Sequence, residues 1–168
     1  DLGQAEKVKT AIGECATMGI PVLPPDINQS EENFSIDSKD GKTAIRFGMA
    51  GIKNVGVAAL QPLLAARKEG GPFKSVEEFC RRTDLRGVNK RTLESLIKAG
   101  AFDCFGKRGA LLQNLDRIMS ASQREQQRKD SHQSTMFDMF GQDVPVPMMD
   151  LGITGEDVTA TEKLEWEK

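Results

Sequence analysis

The stretch Gly51-Ile52-Lys53-Asn54-Val55-Gly56-Val57-Ala58-Ala59 decides how this chain is read. Asn54 and Gly56 belong to the residue types that most readily take positive φ, so the backbone is expected to reverse here within a few residues. Ile52 and Val55 are placed to turn inward and plug the reversal into a core. After Gly56, Val57-Ala58-Ala59-Leu60 reads as the first turn of a helix with no acidic side chain in it. The unpaired N–H groups of such a turn point outward at the positive end of the helix dipole, and a phosphate is the ligand that matches them. Lys53 adds a full charge, which makes Lys53, Asn54, Val55, Gly56 and Ala58 the candidate contact set. The same residues could also make an ordinary corner between two helices with a lysine in water, and the rest of the chain has to decide between the two.

With 168 residues and 38% hydrophobic content, one substantial core with flanking segments is expected. Tyrosine is absent, aromatics make up 5%, and Ala, Leu, Lys, Arg and Glu recur throughout, so the fold class is mainly α. Cys15, Cys80 and Cys104 are too far apart for a zinc site and too few for a disulfide scaffold, which suits free thiols in a reducing cytoplasm. No apolar run approaches the ~20 residues that span a bilayer, and the first residues lack the basic-then-apolar pattern of a leader. A cytoplasmic protein without a membrane partner is the expectation.

The net charge of −2 conceals a partition. Residues 1–40 carry 3 Lys and Arg against 8 Asp and Glu, residues 41–130 carry 18 against 9, and residues 131–168 carry 2 against 8, giving −5, +9 and −6. A basic middle that holds the glycine-bounded turn is the electrostatic footprint of a phosphate-binding surface.

Along the chain, Val8, Ala11, Ile12, Cys15 and Met18 recur at helical spacing over residues 4–18, and Gly19 ends that helix. Pro21, Pro24 and Pro25 make the next stretch a stiff extended connector whose apolar residues should lie against something. Asn33–Asp37 and Thr43–Phe47 alternate about Lys39-Asp40-Gly41, the pattern of a small two-stranded β-hairpin that should pack on the following helices. Residues 48–55 and 57–68 read as helical arms around the turn, with Pro62 demanding a kink or a tightened first turn in the second. Ser75-Val76-Glu77-Glu78 opens a short helix to about 83 with a capping-box pattern, and Asn89 caps another that runs to Ala99 and stops at Gly100. A compact turn, Ala101 to Gly106, then leads into a long helix from Lys107 with Leu111, Leu112, Leu115, Ile118 and Met119 inward. Helix, glycine-bounded turn and helix thus occur twice, and Lys90, Arg91, Lys107 and Arg108 are the candidate phosphate contacts of the second copy. From Ser120 the apolar stripe disappears, which predicts a solvated, fraying extension to about 130. Residues 131–160 have no period and read as a mobile tail, and Thr161 to Lys168 read as the start of a helix.

These segments, in this order, resemble the alpha subunits of bacterial DNA polymerase III, the C-family replicative polymerases, across essentially the whole chain. The resemblance is carried by Met18-Gly19-Ile20, Leu23-Pro24-Pro25-Asp26-Ile27-Asn28, Ile45-Arg46-Phe47-Gly48 and Gly51 to Gly56. It continues with Gly71-Pro72-Phe73-Lys74-Ser75, Phe79-Cys80 and the two runs Val88 to Arg91 and Lys98 to Asp103. It implies the end of a fingers domain over residues 1–27, a tandem helix-hairpin-helix module over 28–130 that grips duplex DNA through its backbone, and a flexible tail over 131–168. Asn54 departs from the glycine common at that point of the family hairpin; asparagine is the next-best residue at positive φ, so the turn should survive.

The family's chemistry uses aspartates that hold magnesium ions in a palm domain, and no stretch here matches that motif. Asp37 with Asp40, and Glu77 with Glu78, read as surface pairs, while the sole histidine, His132, lies in the tail, so no catalytic residue, metal site or cofactor is expected. In that tail Gln133-Ser134-Thr135-Met136-Phe137 resembles the family's internal motif for binding the sliding clamp. Gln133 would bond at a pocket rim and Met136 and Phe137 would be buried anchors, and the rival register Asp138-Met139-Phe140 has no glutamine to match. The expected partners are therefore double-stranded DNA, the sliding clamp and the other domains of a polymerase. The alternatives are a helical protein-interaction module, against which the paired turns and the basic middle speak, and the helix-hairpin-helix domain of a repair nuclease, against which the proline connector speaks.

Overall fold

Glycine and proline punctuate the helices where the sequence places them. The computed structural model describes residues 2–135, 151–153, 155 and 157–166. Helix α1 (Leu2–Thr17) ends in a Schellman motif, with Gly19 at φ 70 and the amides of Gly19 and Ile20 donating to Ala16 and Cys15. Of its apolar positions Val8, Ile12 and Cys15 are only half-buried, and Met18 beyond its end is 72% exposed.

The connector lies against a strand. Val22–Leu23 (β1) pairs in parallel with Lys42–Arg46 (β3), which pairs antiparallel with Ser35–Lys39 (β2), in the order β1-β3-β2. The two-stranded ribbon expected from the alternation is thus a three-stranded sheet; two residues flanked by prolines carry no alternation by which a third strand could be recognised. Asp40 (φ 52) and Gly41 (φ 75) form the two-residue turn between Lys39 and Lys42, both left-handed as a type I′ turn requires. The sheet is anchored chiefly through loops, and Ile36 stays 84% exposed. Ser30 Oγ donates to Phe47 O (2.8 Å), and Gly48 approaches the backbone of Asn33 so closely that a Cβ would lie 2.3 Å from Asn33 C.

Asn28 clasps the chain's first third to its middle. Its amide donates to Phe73 O (2.9 Å) and accepts from Phe73 N (2.8 Å), while Ile27, 1% exposed, plugs into the core and donates from its amide to Ala101 O. The core itself joins α2 (Val57–Gly70), α3 (Val76–Arg82), α4 (Lys90–Lys98), α5 (Arg108–Gln113) and α6 (Leu115–Thr135). Its centre is a ring cluster in which Phe79 lies 5.2 Å from Phe73 and 5.1 Å from Phe102, with Phe105 beside both Phe79 and Phe102. Leu60, Leu63, Leu93, Leu96, Ile97 and Leu111 close around it at 0% exposure.

Four further expectations change, and that of a tightened first turn in the helix holding Pro62 is met. The first arm of the hairpin is not a full helix but a single 3-10 turn, Met49–Gly51, pulled tight because the amides of Met49 and Ala50 donate back to Glu31 and Glu32. Pro62 leaves α2 continuous, and the first turn is the part that tightens: Ala59 donates to Gly56 O, three residues back. The long helix expected from Lys107 is two helices, broken at Asn114, whose side-chain amide donates to Ala110 O at 2.8 Å. The stretch expected to fray packs on α3: Ser122 Oγ and Gln126 Nε2 donate to Thr83 O at 3.0 and 3.3 Å, and Glu125 and Gln126 are each 8% exposed. This contact satisfies a helix-end carbonyl with polar side chains, so it leaves no trace in the apolar period. Beyond the undescribed stretch, Leu151 is buried and α7 (Ala160–Trp166) follows, which makes part of the expected tail a packed segment.

Candidate nucleic-acid interface

The first turn has the geometry of a plugged reversal with an open helix start. Asn54 takes the left-handed step at φ 66, Val55 is 7% exposed with its amide donating to Ile52 O, and Ile52 packs on the core. Gly56 departs from expectation: at φ −89 and ψ 151 it is extended backbone, which any residue can adopt, so the reversal rests on Asn54. A Cβ at Gly56 would meet no atom within 4 Å. Gly56 is the N-cap of α2, with no side-chain cap and no acid in the first turn of the helix. Lys53, Gly56, Val57 and Ala58 are exposed, and among the described residues Lys53 has no ionic partner.

A second helix start is tied to this one. Thr92 Oγ1 donates to Asn54 O (3.1 Å), and the Asn54 side-chain amide donates to Ser95 Oγ (3.3 Å), which fixes the turn against α4. Asn89 caps α4 by accepting from Thr92 N at 2.8 Å, and its first turn carries Lys90 and Arg91 and no acid. Two helix N-termini with exposed cations therefore converge about Asn54, an arrangement suited to a row of anions. Lys90 holds Asp116 at 2.8 Å, but both side chains are more than half exposed, so a surface pair of this kind gives way to a phosphate at little cost.

The second copy is built differently. Gly100, at φ 89, closes α4 in a Schellman motif, with Ala101 N donating to Leu96 O and Gly100 N to Ile97 O. Arg108, expected to meet phosphate, is turned inward: it is 7% exposed, its guanidinium holds Asp103 at 2.9 Å and it donates to Lys98 O at 3.1 Å. Lys107 is exposed.

Other cations of the basic middle are likewise structural. Arg67 donates to the carbonyls of Ile27 (2.9 Å) and Ser30 (2.6 Å) and pairs with Glu31. Arg82 donates to Ala66 O (2.7 Å) and Gly71 O (2.6 Å), pairs with Glu78, and stacks 4.5 Å above the Phe73 ring. A guanidinium can satisfy several loop carbonyls at once. These arginines close loops onto the core, a role that no charge count can separate from phosphate binding. Burial works against the Glu78 carboxylate, yet the Lys74 amide and Arg82 hold its carboxyl below the usual range. Asp37 is held low by the Ser38 amide and by Arg46, which it pairs with at 2.7 Å. No group of three or more His, Cys, Asp or Glu side chains able to hold a metal ion is found among the described residues.

Gln133 sits in the last turn of α6. Met136 and Phe137, with the rival Asp138, Met139 and Phe140, lie outside the described residues. No helix among the described residues is long and apolar enough to cross a membrane.

Two linked reversals, each leading into a helix around a shared core, define a helix-hairpin-helix protein. The family described as "Helix-hairpin-helix motif" matches residues 19–111, and the chain belongs to it. Within that class the chain is homologous to the DNA polymerase III subunit alpha of several bacteria. It is 39% identical to that of Campylobacter jejuni over 97% of its length, 41% identical to that of Vibrio cholerae over 82%, and 44% identical to that of Thermus aquaticus over 74%. The chain spans only 14%, 12% and 10% of those three relatives.

Proposed function

We propose that this chain is a non-catalytic segment of a replicative DNA polymerase that holds duplex DNA by its sugar-phosphate backbone, without regard to base sequence. The observation that carries this reading is the convergence of two acid-free helix starts, those of α2 and α4, on the Asn54 turn, with Lys53 exposed in that turn and Lys90 and Arg91 exposed in the first turn of α4. Backbone amides and flexible cations hold phosphates and leave base edges unread. The open space before Gly56 suits close approach of a phosphate to the amides of α2, Ala58 among them. Binding of a labelled duplex by the Lys53→Ala/Arg91→Ala chain, followed by anisotropy against salt, tests it. The expected result is weaker binding for every duplex sequence, with the slope of log K against log salt flattened by about two contacts.

The same reading gives Gln133, Met136 and Phe137 the docking of a sliding clamp. Support comes from the residue types, a glutamine followed, after two intervening residues, by an aliphatic-aromatic pair. Calorimetry with a bacterial clamp should show binding by the parent and none by the Met136→Ala/Phe137→Ala chain. Equal binding by both, or by neither, refutes the assignment.

A further inference from the structure

The second hairpin carries a strap of the chain's own. Residues 151–153, 155 and 157–166 lie along three helices in succession. Leu151, 4% exposed, joins the core and lines one open cleft with Asp116, Arg117, Ser120 and Arg124 of α6, and Ile153 packs on the core. Gly155 then touches α5 so closely that a Cβ would stand 2.5 Å from Gln113 Oε1 and 3.1 Å from Ala110 Cα. Asp157 accepts from Gly109 N at 3.5 Å and is held by Lys163 at 2.5 Å, which ties α7 back on this crossing. At the far end the Trp166 ring lies 5.5 Å from Lys98 Nζ at the end of α4. Thr159 and Glu162 cap α7 reciprocally, so the crossing is formed by an ordered helix start.

Charge matches this placement. Over residues 151–166 the sequence holds Glu156, Asp157, Glu162 and Glu165 against Lys163, and the surface beneath belongs to the basic middle of the chain. An acidic segment that meets Gly109 through Asp157 and Lys98 through Trp166 repels phosphate from the edge on which Lys98 and Lys107 stand.

We propose that the second hairpin is a protein-docking surface, with residues 151–166 as its occupant, and that this occupancy removes Lys98 and Lys107 from the contact with duplex DNA. The docking itself is independent of the reading of the first hairpin; only the consequence for DNA rests on it. The two copies would then have divided their work: one turn for phosphate, one for a segment of the chain.

Gly155→Val tests both parts in the full chain, because its side chain meets α5 while the core between Ile27 and Ala121 is untouched. Trp166 is the sole tryptophan, so its fluorescence reports the strap alone. Release should raise its acrylamide quenching at least twofold and lower its anisotropy, with the circular dichroism of the helical core retained. Unchanged Trp166 signals in Gly155→Val overturn the docking, whatever the chain does with DNA. For the consequence, a labelled 20-base-pair duplex is titrated with the parent, Lys107→Glu, Gly155→Val and the double variant. The expected pattern is that Lys107→Glu leaves the parent unchanged, Gly155→Val binds several-fold more tightly, and Lys107→Glu abolishes that gain. A weakened Lys107→Glu parent, or a released strap with no gain in affinity, overturns it. If no variant binds duplex, the reading of the first hairpin fails along with the consequence for DNA, while the quenching result still decides whether the strap docks.

Discussion

Replacing Gly56 separates a turn from a ligand site. Had glycine been needed for left-handed backbone, any side chain would strain the fold, but Gly56 is extended at φ −89 and its Cβ would stand in open space. For Gly56→Ala two small effects oppose each other. Glycine is preferred to alanine as an N-cap by about 0.5–1 kcal/mol, and alanine lowers the entropy of the unfolded chain by about 0.4–1 kcal/mol. Stability should therefore stay within about 0.5 kcal/mol of the parent, read as an unchanged midpoint in urea. Binding should not be spared. The methyl group stands at the mouth of α2, where a phosphate has to approach the amides, and one charge-assisted hydrogen bond lost costs about 1.5–3 kcal/mol, or roughly 10- to 150-fold in affinity. Gly56→Val enlarges the obstruction with no conflict of backbone. Anisotropy of a labelled duplex and urea unfolding of the same samples decide the matter. A folded Gly56→Val chain that binds duplex as well as the parent refutes the placement of phosphate at this helix start.

Other residues give separate checks. Asn54→Val puts a β-branched residue at φ 66 and should lose about 1–3 kcal/mol of stability, whereas Asn54→Gly keeps the turn and should lose only the Ser95 hydrogen bond, about 0.5–1.5 kcal/mol; urea melts read both. Phe79→Ala opens a cavity at the centre of the ring cluster and should cost about 3–5 kcal/mol in the urea melt, enough to unfold a marginal chain. Cys80 is fully buried and burial, with the Glu77 charge behind it, pushes its thiol up to about 12, so alkylation at pH 8 should occur only at the rate of global unfolding. Asp84, held low by Arg86, and Glu78 both have depressed folded values, so their stabilisation is complete above the ordinary carboxylate range and is lost as pH falls through the folded values. Urea midpoints should be level from pH 7 to about 5 and fall below about 4, less steeply in Glu78→Gln.

Much of this was legible in the sequence because local chemistry enforces it. Asn89, Ser75, Gly19 and Gly100 cap and stop helices where they stand, and Asp40-Gly41 turns the ribbon, because each depends only on residues a few positions away. What escaped depends on distant partners. β1 exists because β3 lies beside it, the packing of Ser122 and Gln126 depends on Thr83 O, and the burial of Arg108 depends on Asp103 and the end of α4. In the candidate site the turn, Lys53 and the acid-free start of α2 were readable, while the role of Asn54 in joining α2 to α4 was not, since Thr92 and Ser95 lie some forty residues away. The basic middle was readable as a sum; its division into inward arginines and exposed cations is a property of the fold.

If the first hairpin holds duplex DNA by phosphate contact, the response to salt shows it. The most direct measurement is the affinity of the parent chain and of Lys53→Ala for two duplexes of unrelated sequence, across a tenfold range of salt. Phosphate contact requires equal affinities for the two duplexes, a linear fall of log K with log salt, and a slope shallower by about one in Lys53→Ala. Absence of duplex binding at low salt, or a Lys53→Ala slope identical to the parent's, would contradict it.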